Sequence, residues 1–138
     1  MSTRRGAAEA GQVLVMAAAV LAFLFVPLAV LVVDTGLVEA AYAQLGETLQ
    51  ASAEDGASQI DQQAFRESGG QVAVLDQAAA WQTCERSLRA SGLTGLGNIT
   101  VTTTATTVTA TASVRVELLV VGAATVTQTR SASFVVGR

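Results

Sequence analysis

The chain has 138 residues, of which 51% are hydrophobic and 14% are charged, and its formal net charge is -3. This balance predicts one membrane segment plus a single small domain and argues against a large enzyme. The negative net charge and the lack of a contiguous basic patch exclude nucleic acid as a partner, because recognition of a phosphate backbone begins with a cationic surface. No histidine is present, so the commonest general base and zinc ligand is missing, and we predict no catalysis, metal or other cofactor.

A long apolar run follows a short polar leader over residues 1–11. The run from Val13 to Val33 has 21 residues without a charge, and a spanning helix needs about 20. We therefore predict a transmembrane helix over residues 12–33, with a kink at Pro27. The alternative is a cleaved secretory signal, for which Ala41-Tyr42-Ala43 has the form of a cleavage site, but the apolar run is longer than such signals need.

The charges beside the span predict its orientation. Arg4 and Arg5 precede it, and the next basic residue is Arg66, far beyond the region that sets topology. The N-terminus is therefore expected in the cytoplasm, with a single pass through the cell membrane and the C-terminal part extracytoplasmic.

Helical periodicity continues past the span and predicts an external helical extension over residues 34–66. Apolar residues recur at steps of three and four along one face. The stripe consists of Val38, Tyr42, Leu45, Leu49, Ala53, Gly56 and Ile60. It needs a covering partner, which is the distal part of the same chain, neighbouring copies, or both.

Residues 67–138 are expected to form a small α+β domain. A second, amphipathic helix is predicted from Val74 to Ala90, with Trp81 as its main anchor. From Asn98 the sequence is rich in Thr and Val and predicts strands, with a turn or bulge near Thr106 and Thr107.

The strand pattern completes the predicted fold. Gly122 to Ala124 is the next turn and Val126 to Val136 the last strand. The predicted fold class is α+β: a long N-terminal transmembrane helix extending into an external helix, and a second amphipathic helix on a small antiparallel β-meander. The alternative for the Thr-rich run is a flexible stalk. Arg115 and Glu117, on the polar face of the middle strand, are expected to pair across strands.

Few side chains suggest chemistry. Glu54, Asp55 and Asp61 form the densest acidic group, but their spacing matches no cation loop, and we interpret them as a solvated helix face. Cys84 is the single cysteine, so it is either buried or used between chains. Asp34 stands at the outer end of the span, where it either ends the apolar run or pairs with a partner chain.

Several motifs in residues 4–60 resemble the TadE/TadG-like family, the minor pilin-like proteins of tight-adherence (Flp) pilus systems. They are the leader Arg4-Arg5-Gly6-Ala7-Ala8, Gly11-Gln12-Val13-Leu14-Val15, Pro27, Asp34-Thr35-Gly36, Gln44-Leu45 and the run from Gln50 to Ala57. The resemblance implies a pilin-like organisation and a structural role in a surface filament, with the membrane, other pilin-like subunits and the pilus assembly machinery as partners.

The resemblance also implies two sites near the N-terminus. Gly6 is the candidate site for cleavage by a prepilin peptidase. Glu9 is the candidate for pairing with a neighbouring subunit, although it is the third residue after Gly6 and the family usually places its acid fifth. Asp34 is a further candidate for such pairing, because of its position at the outer end of the span and not because of the resemblance.

Three functions are compared. The first is a minor pilin-like structural component of a tight-adherence pilus, acting as a homo- or hetero-oligomer in assembly and indirectly in surface adhesion, with the stripe from Val38 to Ile60 as its helix-packing surface. The second is a membrane-tethered extracytoplasmic binding module. The third, an exported enzyme, lacks a base to activate any of the abundant serines and threonines.

Overall fold

The computed structural model describes residues 3–120 and 122–134, with side chains from Gly11 onward. Three helices precede three strands. They are α1 (Thr3–Ala57), α2 (Gln62–Glu67), α3 (Gln77–Ala90), β1 (Leu96–Thr103), β2 (Thr107–Glu117) and β3 (Ala123–Ser133). A long apolar helix followed by a small sheet agrees with the predicted α+β class.

Residue contacts divide the chain into two compact units, Met1–Gly36 and Leu37–Arg138. The first unit is helical throughout its described part. The second contains the rest of α1, the two shorter helices and the sheet. The contact boundary therefore lies at Gly36, and residues 37–66 belong to the same unit as the α+β part.

Helix α1 is continuous over 55 residues and runs through Pro27 without interruption. The glycines Gly36, Gly46 and Gly56 also lie within it, although each weakens a helix by about 1 kcal/mol relative to alanine. The loss of helix propensity is offset by the burial of apolar side chains in the second unit. Leu45 and Leu49 are fully buried, and burying each side chain stabilises the fold by about 1.5 to 3 kcal/mol.

The strands form a three-stranded antiparallel sheet in the order β1-β2-β3. The Thr-rich run is therefore strand, as predicted, and the stalk alternative is wrong. The predicted turn is confirmed at Thr104 to Thr107, where Thr104 N donates to Thr107 O at 2.8 Å. Because of this turn, core-facing residues are odd-numbered at the end of β1 and even-numbered in β2.

One face of the sheet is apolar and forms the core with α1 and α3. Its central strand alternates strictly, with one residue in two buried from Val108 to Val114. The buried apolar residues are Leu45, Leu49, Ala53, Ala57, Leu75, Ala80, Cys84, Leu88, Val108, Ala110, Ala112, Val114, Val126 and Ala132. Small residues dominate on β2, which lets the helices approach the sheet closely.

Helix α3 differs from its prediction in start and face. It begins at Gln77, because Asp76 is its N-cap and accepts from Ala79 N at 3.0 Å. Ala80, Cys84 and Leu88 are its buried residues, and Trp81 is 44% exposed. The prediction of Trp81 as the main anchor is therefore wrong. The small residues on the neighbouring face fit against α1, where an indole has no room.

The predicted helical extension to residue 66 is interrupted. Helix α1 ends at Ala57, and Ile60 forms an isolated antiparallel bridge with Leu75. Asp61 then caps the short helix α2 by accepting from Gln63 N and Ala64 N at 2.9 and 3.0 Å. Ile60 is thus a bridge residue and not part of the helical stripe, and Asp61 is a cap and not part of a solvated helix face.

The hairpin between β2 and β3 is also shifted from its prediction. Strand β2 ends at Glu117 and β3 begins at Ala123, so the turn spans Leu118 to Gly122, whose φ is +90°. The predicted end of the last strand at Val136 lies outside the described residues. Arg115 and Glu117 do pair, at 3.1 Å, but along one strand and on the exposed surface, not across strands.

Candidate functional site

The first unit presents an apolar helix surface. Its large apolar side chains are exposed, from 49% for Val33 to 81% for Phe23. The helix is long and apolar enough to cross a membrane, with a mean hydropathy of 2.8 in its most apolar window, and none of that window is buried. Among the residues with described side chains, it is the one helix with these properties.

The three residues expected to mark subunit pairing or processing differ in what the structure describes. Gly6 lies in α1 by its backbone. The side chain of Glu9 lies outside the described part of the chain. Asp34 is 7% exposed, and its pairing with a neighbouring subunit stays a prediction.

The predicted helix-packing stripe is mostly covered by the chain's own core. Leu45, Leu49 and Ala53 are 0% exposed against α3 and the sheet. Val38 packs at the edge of this core, and Tyr42 is 52% exposed. Of the coverings left open by the sequence, the distal part of the same chain is the one observed. The buried leucines are therefore not available for packing against neighbouring subunits.

Helices α1 and α3 are joined by polar contacts next to Cys84. Ser87 Oγ donates to Asp55 Oδ2 at 2.7 Å, and Ser52 Oγ donates to Ser87 Oγ at 3.3 Å. Asp55 is thus a structural acceptor as well as a surface charge. The Cys84 thiol is fully buried. Burial, with smaller effects from the charges of Asp55 and Glu85, raises its pKa to about 11, so this thiol is not a nucleophile at neutral pH.

Helix α1 meets β3 through Gln128, which is 5% exposed. Its Nε2 donates to Tyr42 O at 2.5 Å, across 86 positions of sequence. Its Oε1 has no hydrogen-bond partner. The close approach depends on Gly46, since a Cβ there would lie 2.8 Å from Gln128 Oε1 and 3.2 Å from Arg130 Nη2.

Two open grooves lie on the second unit beside this contact. One of about 430 Å³ is lined by residues of α1 and β2 and the turn between α3 and β1, including Gln44, Arg115 and Glu117. The other, of about 530 Å³, lies between α1 and β3 and is lined by Tyr42, Glu47 and Arg130 among others. In the part of the chain with described side chains, no group of three Cys, Asp or Glu residues could hold a metal ion.

The sheet's second face is a regular array of hydroxyl groups. In the register of the strands, Thr111 is opposite Thr129, and Thr109 opposite Ser131. Thr100 and Thr102 of β1 extend the same rows, since they pair with Thr111 and Thr109. Thr111 Oγ1 and Thr129 Oγ1 share a hydrogen bond of 2.8 Å. Both helices of the core lie on the opposite face.

Two features of the second unit escaped sequence reasoning. They are the Gln128 contact and the groove between α1 and β3. Both depend on pairs of residues far apart in the chain. The weak signal available was a glutamine at a core-facing position of an otherwise regular strand.

Comparisons with known proteins give no relative for this chain. No family model matches it. No curated protein and no solved structure is similar to it.

Proposed function

We propose that this protein is a membrane-anchored, minor pilin-like subunit of a tight-adherence pilus, a structural component that takes part in filament assembly and indirectly in surface adhesion. The observation that carries the proposal is helix α1. Its first part is apolar over residues 13–33 and exposed except at the half-buried Val30, and its last part is a central helix of an α+β core. One helix thus provides both a membrane anchor and the spine of a domain.

The motifs of residues 4–60 that resemble the TadE/TadG-like family support the same proposal. The proposed topology has the N-terminus in the cytoplasm, because Arg4 and Arg5 flank the span on that side. The sheet and the shorter helices are then extracytoplasmic.

A deletion of the gene in the native host tests the role in assembly. We expect fewer surface filaments by electron microscopy, and rescue by the full chain but not by a chain that lacks residues 12–33. The control is the deletion strain complemented with the Trp81→Ala variant, which should restore filaments. Trp81 is 44% exposed and lies outside the core cluster, so its removal should not affect folding or expression. Unchanged filament numbers in the deletion strain would refute the proposal.

The intact mass of the protein from native membranes tests the anchor and its processing. Loss of Met1–Gly6 alone indicates cleavage by a prepilin peptidase, and a full-length mass indicates an uncleaved anchor. Both results keep the transmembrane helix. Cleavage after Ala43 would remove it and overturn the proposed anchor.

A membrane-tethered binding module is the second candidate. The groove of about 430 Å³ that contains Gln44, Arg115 and Glu117 is the observation in its favour. The two charged groups of this groove pair with each other, which reduces their value for binding a charged ligand. Substitution of Arg115 by Ala separates the candidates: filament number stays unchanged for a pilin-like subunit, whereas a binding module loses attachment to its target surface.

A further inference from the structure

We propose that the free edge of β3 pairs with β3 of a second copy of this chain, so that two three-stranded sheets become one. The inference rests on the proposed function in one respect, that a filament subunit needs contacts with its neighbours. It goes further by naming the contact and assigning it to the second unit. The buried leucines of α1 cannot make this contact, so another surface is required.

The hydrogen bonds at the two ends of the β2–β3 ladder show which backbone groups of β3 do not bond to β2. Leu118 N donates to Gly122 O and Phe134 N donates to Thr106 O, at 2.7 and 2.8 Å. In an antiparallel ladder, residues that bond to the partner strand alternate with residues that point away. The even-numbered residues of β3 therefore bond to β2. The odd-numbered ones direct their N–H and C=O groups outward: Thr125, Thr127, Thr129, Ser131 and Ser133.

This edge has few of the features that protect edge strands from pairing. Such protection comes from short length, proline, bulges and charges. Strand β3 has 11 residues, no proline, an unbroken register with β2, and Arg130 as its single charged residue. The opposite edge differs, because β1 has 8 residues and its register shifts between Gly97 and Thr100. Only one edge of the sheet is thus suited to pairing along its whole length.

Charge on both sides of the groove between α1 and β3 favours a second copy as the occupant. Arg130 lines this groove with Glu47 and Glu54 of α1. Among the described side chains Arg130 makes no ion pair, and its Nη1 donates to Thr129 O at 3.2 Å. A two-fold pair of identical edges brings one arginine and two carboxylates from each copy to the same seam. Arg130 then leaves the outward carbonyl of Thr129 for a carboxylate of the other copy.

A pair of lysines on the edge tests the proposal. The full chain is studied in detergent micelles, with the self-association constant measured by sedimentation equilibrium. Thr127→Lys with Ser131→Lys places like charges on both facing strands, and we expect the dissociation constant to rise at least tenfold. The matched control is Thr100→Lys with Thr102→Lys, which adds the same charges to exposed positions of β1. The control is expected to leave the constant unchanged.

Hydrogen exchange in the unmodified chain provides a second measurement that does not depend on how the variants fold. The amides of Thr125, Thr127, Thr129 and Ser131 should exchange more slowly as the protein concentration rises. The amides of Val126 and Gln128, already bonded to β2, should not change. The proposal would be overturned if the unmodified chain were a monomer at all concentrations. It would also be overturned if both lysine pairs weakened self-association equally, or if neither weakened it. If the variant Thr127→Lys with Ser131→Lys is monomeric and a strain carrying it still forms normal filaments, this contact is refuted and the proposed function still stands.

Discussion

Polar side chains of the second unit stabilise or destabilise the fold according to whether their polar atoms form hydrogen bonds. Asp61 and Asp76 each cap a helix with good geometry. Gln128 is buried with one of its two polar groups unpaired. A buried acceptor without a partner costs about 1 to 3 kcal/mol, whereas a typical hydrogen bond gains about 0.5 to 1.5 kcal/mol. These magnitudes make Gln128 the least favourable of the buried residues in the core.

Replacing Gln128 by Leu is therefore expected to stabilise the second unit by about 1 kcal/mol. The change removes the unpaired Oε1 and the bond to Tyr42 O, and that carbonyl keeps its place in the hydrogen-bond ladder of α1. The free energy of unfolding in urea measures the effect. Gln128→Ala is the control that leaves a cavity, and it should destabilise. A destabilised Gln128→Leu variant would show that the bond to Tyr42 outweighs the unpaired oxygen.

Cys84 should be chemically silent until the protein unfolds. Its pKa is raised from 9.0 to about 11 by burial first and by the nearby acids second. Thiol-specific alkylation at pH 8 is expected to follow global unfolding, and Cys84→Ser should reduce alkylation to background in both folded and unfolded protein. Rapid labelling of the folded chain would contradict the burial of this side chain.

The same shift makes stability depend on pH in the alkaline range. A raised pKa means that the folded protein holds the thiol proton more tightly than the unfolded chain does. Its contribution to stability is therefore complete below pH 9 and is lost as the pH rises to about 11. The difference in unfolding free energy between the unmodified chain and Cys84→Ser should shrink or reverse across this window. A constant difference would exclude the thiol as the source.

At the scale of elements, local patterns predicted each structure type but not the partner of each face. The apolar run of 13–33, the alternation of Val108 to Val114 and the turn before β2 were all readable, because each depends on neighbouring residues. The face of α3 was not. Trp81 is the largest side chain on that helix, yet Ala80, Cys84 and Leu88 are its buried residues, and α1 approaches Ala80 and Cys84 closely at Gly56. Periodicity gives the spacing of apolar residues, whereas closeness of packing depends on the opposing element.

The contact of α1 with α3 leads to a prediction for Gly56, the glycine of α1 at this contact. A Cβ on Gly56 would lie 2.9 Å from Ala80 O and 3.1 Å from Cys84 Cβ. Gly56→Ala is expected to lower the unfolding free energy, because overpacking costs about 1 to 3 kcal/mol and exceeds the gain of about 1 kcal/mol in helix propensity. Thermal unfolding followed by circular dichroism measures it.

Gly36→Ala is the matched control for this substitution. It makes the same change in the same helix, where nothing lies within 4 Å of the added carbon. It should leave the melting temperature of the second unit unchanged or raise it. Equal losses in the two variants would contradict close packing against α3 as the cause of the loss at Gly56.

At the scale of the whole molecule, the division into two units predicts that the second unit is stable in water without the first. The described core residues all lie between Leu45 and Ala132, within the second unit. A chain of residues 37–138 should therefore fold in water without detergent. Far-ultraviolet circular dichroism and dispersed amide resonances measure this. An unfolded or aggregated fragment would show that residues before Leu37 are needed for the core.

The proposed membrane anchor leads to a complementary prediction at the same scale. Leu24, which is 62% exposed, lies within the apolar span. Replacement by Arg should reduce membrane insertion, since a charge near the centre of a spanning helix costs about 2.5 to 3.5 kcal/mol on insertion scales. Carbonate extraction of membranes measures the retained fraction, and Leu24→Ala is the control. Retention equal to the control would contradict a spanning role for this segment.

The long-range bond between Gln128 and Tyr42 has a consequence for biosynthesis. The core face of α1 leaves the ribosome before the strand that covers it, and the two bonded residues are 86 positions apart. At about 5 to 20 residues per second, Leu45 and Leu49 wait roughly 4 to 17 s before β3 has been synthesised. During that interval the apolar stripe of α1 is part of the nascent chain and has no sheet to cover it. The order of synthesis thus makes completion of the domain depend on its last strand.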